Sequence, residues 1–158
     1  MATTKEAIQD GYPLPAYNYR VSIADNGDAP TMSFSEVSGL SQEYEAVTYK
    51  HGLSYVMGHT IVPGMRQPVR ITLKRGIFKA SSYFSDWLDA TYRESFSDKV
   101  KRDITISLCN EAAEPLVSWH VKSAMPLKLE APNFDPNSND VAIESMELIA
   151  HSLSVSYN

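Results

Sequence analysis

Four histidines and one cysteine are the side chains in this sequence that could bind a metal ion or take part in catalysis. His51 and His59 lie on either side of a glycine-containing segment, with no acid or cysteine nearby at the spacing of metal ligands. A zinc site needs three or four converging ligands, so this pair predicts no metal and no cofactor. A hydrolase with a dispersed site stays open as a hypothesis, because catalytic triads are not local in sequence. Its activity would depend on one of His51, His59, His120 or His151.

Two pairs of carboxylates have the residue types of an acid and a base. Glu43 and Glu45 alternate along one predicted strand, and Glu144 and Glu147 lie near the end of the chain. Strands commonly keep one polar face, so we interpret these side chains as a solvated charged row. The sequence contains no GxSxG, GxGxxG or GxxxxGK[ST] motif, and so no local nucleophile elbow or phosphate cradle. We predict that the protein is not an enzyme.

The single cysteine has no partner for an internal disulfide. Cys109 ends the alternating apolar run ITISLC, which is typical of a half-buried strand. Because unpaired cysteines are among the most buried residue types, we interpret Cys109 as a buried, inert thiol and not as a nucleophile.

Composition and charge exclude several classes of protein. The chain has 158 residues, of which 43% are hydrophobic, and its net charge is -5, which predicts one globular domain over residues 1–158 without specific nucleic-acid binding. No apolar run approaches the roughly 20 residues of a membrane span. The N-terminal arm, residues 1–14, is polar and lacks a signal-peptide core. We expect assembly in the bacterial cytoplasm, which is compatible with later release in a large particle.

Hydrophobic periodicity predicts a mainly β protein. Alternating apolar residues indicate about seven strands, and i, i+3, i+4 spacing of Phe84, Trp87, Leu88 and Thr91 predicts one helix over residues 79–93. Ser81 or Ser82 is suited to cap its start. We predict a small β-barrel or sandwich with one flanking helix. The strands are predicted at residues 17–23, 32–40, 43–49, 69–76, 104–108, 116–124 and 141–157.

Residues 50–67 predict an extended hairpin that is apolar where a soluble monomer needs polarity. Gly58 is suited to turn the chain between two short arms. Such side chains must be buried either in the domain's own core or against a neighbouring subunit, and we favour the neighbour. The candidate inter-subunit contacts are Leu53, Tyr55, Val56, Met57, Ile61 and Val62. Open sheet edges invite the same outcome, because pairing between copies closes them into a ring.

Several sequence blocks resemble one known family. Phe34–Leu40, which reads FSEVSGL, resembles the opening of the tail-tube family of contractile phages and related injection systems. ITLKRG at residues 71–76 resembles that family's middle block, and residues 124–128 and 139–148 resemble its closing segment. The resemblance covers roughly residues 15–152 and is greatest to inner-tube proteins of extracellular contractile injection systems, of the antifeeding and virulence-cassette type. One departure is AHSL at residues 150–153, where relatives carry a glycine turn.

The resemblance implies a structural role. Copies would form hexameric rings, assembled edge to edge and stacked into a hollow tube inside a contractile sheath. Baseplate and terminator or cap proteins would be further partners, with cargo or a tape-measure protein in the lumen. Sheath contraction would drive the tube through a target envelope. The alternative from a different class is a monomeric β-barrel carrier of a small apolar ligand, with Trp87, Trp119 and the tyrosines lining its pocket.

Overall fold

A computed structural model describes residues 11–24, 31–53, 58–77, 82–94 and 100–157. These residues form ten strands and one helix, all strand pairs being antiparallel. The elements are β1 (Tyr19–Ile23), β2 (Thr31–Met32), β3 (Glu36–Ser38), β4 (Tyr44–Tyr49), β5 (Thr60–Arg66), β6 (Val69–Gly76), α1 (Tyr83–Arg93), β7 (Arg102–Cys109), β8 (Pro115–Glu130), β9 (Ile143–Ala150) and β10 (Ser152–Tyr157).

Eight of these strands form one sheet, in the order β2-β1-β7-β8-β9-β6-β3, with β10 also paired to β8. Strands β4 and β5 form a separate two-stranded sheet. Over the described residues the large sheet is not closed into a barrel, and residues from both of its ends share one core cluster, as in a sandwich. The prediction of a mainly β fold with one flanking helix is confirmed for the described residues.

The long strand β8 divides the sheet into two halves at Ser123. Between the pairs Arg102–Ala124 and Ile104–Val121, strand β8 has one residue more than β7, which is a β-bulge. Ser123 adopts a φ of 56°, and its backbone N–H donates to Asp103 Oδ1 at 3.0 Å. We call β2, β1, β7, residues 115–124 and β10 the β1 half-sheet. The β6 half-sheet contains residues 125–130, β9, β6 and β3.

The hydrophobic core lies between the two half-sheets. Alternate residues of each strand point inward, as in β6, where Val69, Ile71 and Leu73 are buried and Arg70 is exposed. The same alternation in β1, β7, β8 and β9 continues one cluster across both half-sheets. Its members from these strands include Val21, Ile23, Ile104, Ile106, Val121, Ala124, Met146, Leu148 and Ala150.

Helix α1 closes one side of this core with two aromatic side chains. Phe84 and Trp87 are both 1% exposed, and Trp87 Nε1 donates to the carbonyl of Val100 at 2.7 Å. Phe84 stacks on Phe34 with ring centroids 5.6 Å apart. The helix is confirmed, but it begins at Tyr83 and not at residue 79. Ser82 does not cap the helix as predicted, because its hydroxyl lies 2.9 Å from Asp86 Oδ2 and makes no bond to the backbone. Ser81, the other predicted cap, lies outside the described residues.

The predicted last strand, residues 141–157, is divided into β9 and β10, which pair with β8 in the same register. Strand β9 ends at Ala150 and β10 begins at Ser152, within residues 150–153, where relatives were expected to carry a glycine turn. The His151 backbone N–H donates to the carbonyl of Lys122 at 3.0 Å, so the break stays attached to β8. One edge of β8 therefore pairs with both strands, and the chain passes from one half-sheet to the other without a glycine.

The predicted hairpin boundaries, residues 50–67, are wrong. Val47 pairs with Val62 and Tyr49 with Thr60, so the hairpin is β4–β5 and residues 50–59 connect its strands. The physical reason is register, because the second arm of the predicted hairpin pairs with β4, which the sequence analysis treated as a separate strand, and Gly58 lies within the connection. We call residues 44–66 the arm. The single domain and the N-terminal arm, residues 1–14, stay predictions, and residues 1–10 lie outside the described part.

Candidate assembly surfaces

The arm has no core of its own. Every residue of β4 is exposed, and so is every residue of β5 except Gly64. Ile61 is 65% exposed, Tyr49 59% and Met65 78%. A two-stranded hairpin is at best marginally stable alone in water. The arm therefore carries the feature of an interface, a contiguous apolar surface that its own domain leaves uncovered.

Apolar side chains lie on both faces of the arm. On one face Ile61 lies opposite Thr48, and on the other face Val62 lies opposite Val47. A strand buried on a single face alternates apolar and polar residues, and this hairpin does not. The arm is thus suited to insert between two surfaces or to lie in a groove.

Local contacts define the shape of the arm. A Cβ atom at Gly64 would lie 2.6 Å from the carbonyl oxygen of Glu45, so a larger residue there would displace the paired strand. Gly64 belongs to a bulge, where the pairing shifts between Tyr44 and Ala46. At the base, the Gln67 N–H donates to the Glu43 carbonyl at 2.8 Å. Arg66 Nη2 donates to the Tyr44 hydroxyl at 3.1 Å.

The structure describes three of the six predicted contact residues. Leu53, Ile61 and Val62 are 57%, 65% and 40% exposed. Tyr55, Val56 and Met57 lie outside the described residues. The role of all six in contact between subunits stays a prediction. The predicted contacts did not include Tyr49 and Met65, two further exposed apolar residues of the arm. The alternation in β4 and the glycine before Met65 were the sequence signals of the two paired strands.

The sheet presents open edges as well. Among the residues that the structure describes, β10 pairs with β8 alone, and the sheet path ends at β2 and β3. Gln42 Nε2 donates to the carbonyl of Leu153 at 2.8 Å, which satisfies one acceptor of β10 with a side chain. Unpaired edge groups are a ready template for a strand of another chain.

Ion pairs lie on both faces of the β6 half-sheet. Arg75 and Glu144 belong to the core-facing rows of β6 and β9, and Arg70 and Glu147 belong to the outer rows. Glu144 and Glu147, which the sequence offered as an acid–base pair, each contact an arginine instead. Arg75 Nε donates to Glu144 Oε1 at 2.9 Å, and Arg70 lies 3.6 Å from Glu147. The Arg75 side chain is 5% exposed, and its guanidinium lies 4.4 Å from the Phe84 ring centre. This pair joins two strands to the helix and leaves no carboxylate poised for proton transfer there.

The histidines and the cysteine do not converge. His51 Nδ1 accepts a bond from the Leu53 N–H at 3.1 Å, and His120 Nε2 lies 3.0 Å from Ser156 Oγ. Cys109 is buried, as predicted. Among the described residues, no three His, Cys, Asp or Glu side chains are grouped to hold a metal ion.

The helical structure described here contains no segment long and apolar enough to cross a membrane.

An open cleft of about 330 Å³ is lined by residues of β1, β3, β7 and β8. Tyr19, Leu40 and Trp119 are among its lining residues. Trp87, which the carrier hypothesis placed in the pocket, is a buried residue of helix α1 and does not line this cleft. The two tryptophans therefore do not share a ligand site.

Comparison of the sequence with protein-family models identifies the family of this protein. The model described as T4-like virus tail tube protein gp19 matches residues 15–154. The chain belongs to this tail-tube family. The resemblance predicted for residues 15–152 is confirmed, and the protein is a structural tube subunit of the contractile-system type.

Solved structures agree with this membership of the tail-tube family. A chain of the PVC sheath–tube complex, an extracellular contractile injection system in its extended state, is 33% identical, with 99% of this chain and 100% of that chain covered and a TM-score of 0.86. A chain of the anti-feeding prophage cap is 34% identical over 93% of each chain, with a TM-score of 0.81. A chain of the PVC sheath/tube terminator is 34% identical over 92% of this chain and 97% of that chain, with a TM-score of 0.80. No curated protein sequence matches.

The structure explains one sequence block of this tail-tube protein. Gly39 in FSEVSGL has a φ of 86°, a conformation that residues with a Cβ rarely adopt. A Cβ atom at this position would also overlap the carbonyl oxygen of Arg70. Gly39 thus lets the chain leave β3, cross β6 closely and continue toward the arm.

Proposed function

We propose that copies of this tail-tube protein close edge to edge into a hexameric ring, and that the rings stack into a hollow tube. Family membership and the relatives from a sheath–tube complex, a terminator and a cap support this assembly. A head-to-tail contact whose rotation closes gives a ring, and a second contact along the axis gives a stack.

The observation that carries the proposal is the arm. An isolated subunit leaves apolar residues on both faces of β4–β5 in water, together with the open edge of β10. Neighbouring copies supply what is missing, because they bury the arm and pair the edge. The six predicted contacts, Leu53, Tyr55, Val56, Met57, Ile61 and Val62, then lie at the interface between subunits.

The further partners follow from the same role. A contractile sheath protein surrounds the tube, and baseplate and terminator or cap proteins bind its ends. Cargo or a tape-measure protein occupies the lumen. The protein is not an enzyme, since its task is to provide a rigid wall. Tubes assemble in the bacterial cytoplasm and leave the cell as part of a phage tail-like particle.

Negative-stain electron microscopy of the purified protein tests this proposal. Wild type is expected to form rings or tubes of constant diameter. Ile61→Asp places a charge in the apolar contact and is expected to abolish assembly. Ile61→Val keeps an apolar β-branched side chain at the same position and is the matched control, which should assemble as wild type does.

Two results would count against the proposal. Dispersed small particles of wild type at high concentration would contradict a self-assembling tube. Normal tubes of Ile61→Asp would show that the arm lies outside the contacts between subunits. An Asp substitution at Val62, on the other face of the arm, then shows whether both faces or only one is buried.

A further inference from the structure

The core-facing side chains of the β1 half-sheet form three rows that cross four strands. Strand register puts Ile23, Ile104, Val121 and Leu153 in the first row, and all four are buried. The second row contains Val21, Ile106, Trp119 and Val155, and the third contains Tyr19, Leu108, Val117 and Tyr157. Because every member is aliphatic or aromatic, the apolar surface continues across all three rows.

The subunit itself covers only part of this surface. In the second row, exposure rises from 0% at Val21 to 36% at Val155, and in the third row Tyr157 is 81% exposed. Leu108 and Trp119 of the same rows line the open cleft described above. The uncovered part is therefore a continuation of the core that this subunit leaves in contact with water. We call it the shelf, and its residues are Tyr19, Leu108, Val117, Trp119, Val155 and Tyr157.

One face of the arm has the matching character. Val47 and Val62 lie opposite each other on it, and Tyr49 continues this face along β4. These side chains are 46%, 40% and 59% exposed, so the arm does not cover the shelf of its own subunit. A two-stranded sheet can pack face to face on another sheet, as the layers of a sandwich do. A contact that buries both surfaces therefore joins two copies of the chain.

The charges beside the two surfaces are complementary. The turn between β7 and β8, residues 110–114, begins two residues after Leu108 and contains Glu111 and Glu114, both exposed, without Lys or Arg. Beyond Glu45 the arm contains no carboxylate, and Lys50 directly follows β4. Complementary charges favour the right partner and fix the orientation of a contact. They favour the arm of another copy as the occupant of the shelf.

We infer that the arm of one copy packs, through the face of Val47, Tyr49 and Val62, on the shelf of a neighbouring copy. This inference rests on the proposed tube and names the surface that receives the arm. The contact is head to tail, because each copy offers its arm to one neighbour and its shelf to another. The opposite face of the arm, with Ile61, stays available for a second surface.

Cross-linking of assembled tubes tests this contact. All variants carry Cys109→Ser, which removes the native thiol. Val62→Cys in the arm and Val155→Cys on the shelf place one thiol on each surface, and a short bismaleimide links thiols that lie close together. The matched control combines Val62→Cys with Ser154→Cys, because Ser154 is exposed next to Val155 but lies on the opposite face of β10.

Tubes with the Val62→Cys and Val155→Cys pair should lose their monomer band on a denaturing gel and give a ladder of multimers, because each copy is linked to the next. The control pair and each single-cysteine variant should keep the monomer band. Tyr49→Cys with Tyr157→Cys is a second pair on the same two surfaces and should give the same ladder, so the test does not depend on the assembly of one variant.

Two results would overturn the inference. One is the absence of a ladder from tubes of both pairs. The other is a monomer linked internally, which would place the arm on the shelf of its own copy. Microscopy under reducing conditions precedes the cross-linking and separates the two claims. Wild type without tubes would contradict the proposed function, whereas tubes without a ladder would contradict only the assignment of the shelf.

Discussion

The sandwich and the arm are both rich in apolar residues, but only the sandwich buries its apolar side chains within the subunit. Trp87 in the sandwich is 1% exposed, whereas Met65 in the arm is 78% exposed. Strands of the sandwich alternate apolar and polar residues and bury one face. Strands of the arm carry apolar residues on both faces and bury neither within the subunit.

This difference teaches how one short chain serves two levels of organisation. A core that one subunit completes makes the subunit fold before it meets a partner. A surface that only neighbours complete makes the folded subunit assemble. Substitutions in the two regions should therefore change two different measurements, the stability of the subunit and the formation of tubes.

The largest expected effect is on the core. Trp87→Ala should lower the free energy of unfolding by about 4 kcal/mol, because it opens a cavity and removes the bond to the Val100 carbonyl. Urea unfolding in the Ile61→Asp background, which keeps the subunit unassembled, measures this loss. Tyr92→Ala, at a position 89% exposed on the same helix, is the control and should change stability by less than about 0.5 kcal/mol. Equal effects of the two variants would contradict the packing of α1 on the core.

A smaller loss is expected at the ion pair between β6 and β9, which lies against the Phe84 ring of the helix. Glu144→Gln should destabilise the subunit by about 3 kcal/mol, because it removes the carboxylate 2.9 Å from the buried Arg75 guanidinium. The control is Glu147→Gln at the exposed pair with Arg70, where less than about 1 kcal/mol is expected. Urea midpoints of the two variants, compared in the same unassembled background, measure the difference. If Glu147→Gln proved the more costly, the burial of the Arg75 pair would not be what stabilises it.

The smallest effect on the subunit is expected in the arm. Ile61→Asp should change the free energy of unfolding by less than about 0.5 kcal/mol at protein concentrations where wild type is dispersed, because the position is exposed. At higher concentrations the midpoint of wild type should rise with concentration, since assembly stabilises the folded state, and that of Ile61→Asp should not. A large loss for the dispersed variant would mean that the arm packs on its own subunit.

Patterns among residues close in sequence predicted much of the fold. The alternation of Val69, Ile71 and Leu73 and the helical spacing of Phe84 and Trp87 predicted which side chains enter the core. The tail-tube resemblance predicted the function. The sequence predicted the candidate contacts only in part. An apolar stretch such as Leu53–Val62 indicates an uncovered surface, but it does not show which strand that stretch pairs with.

By itself, the sequence determined the mainly β class, the helix and the apolar character of the arm, because periodicity is local and survives in any packing. Only the tertiary structure decided that β4 pairs with β5, that β8 bends at Ser123, and that Arg75 meets Glu144 69 residues away. It also aligned apolar residues of four strands into the shelf. Strand register is the physical reason, since which residues become neighbours depends on which edges pair, and many pairings suit the same local pattern.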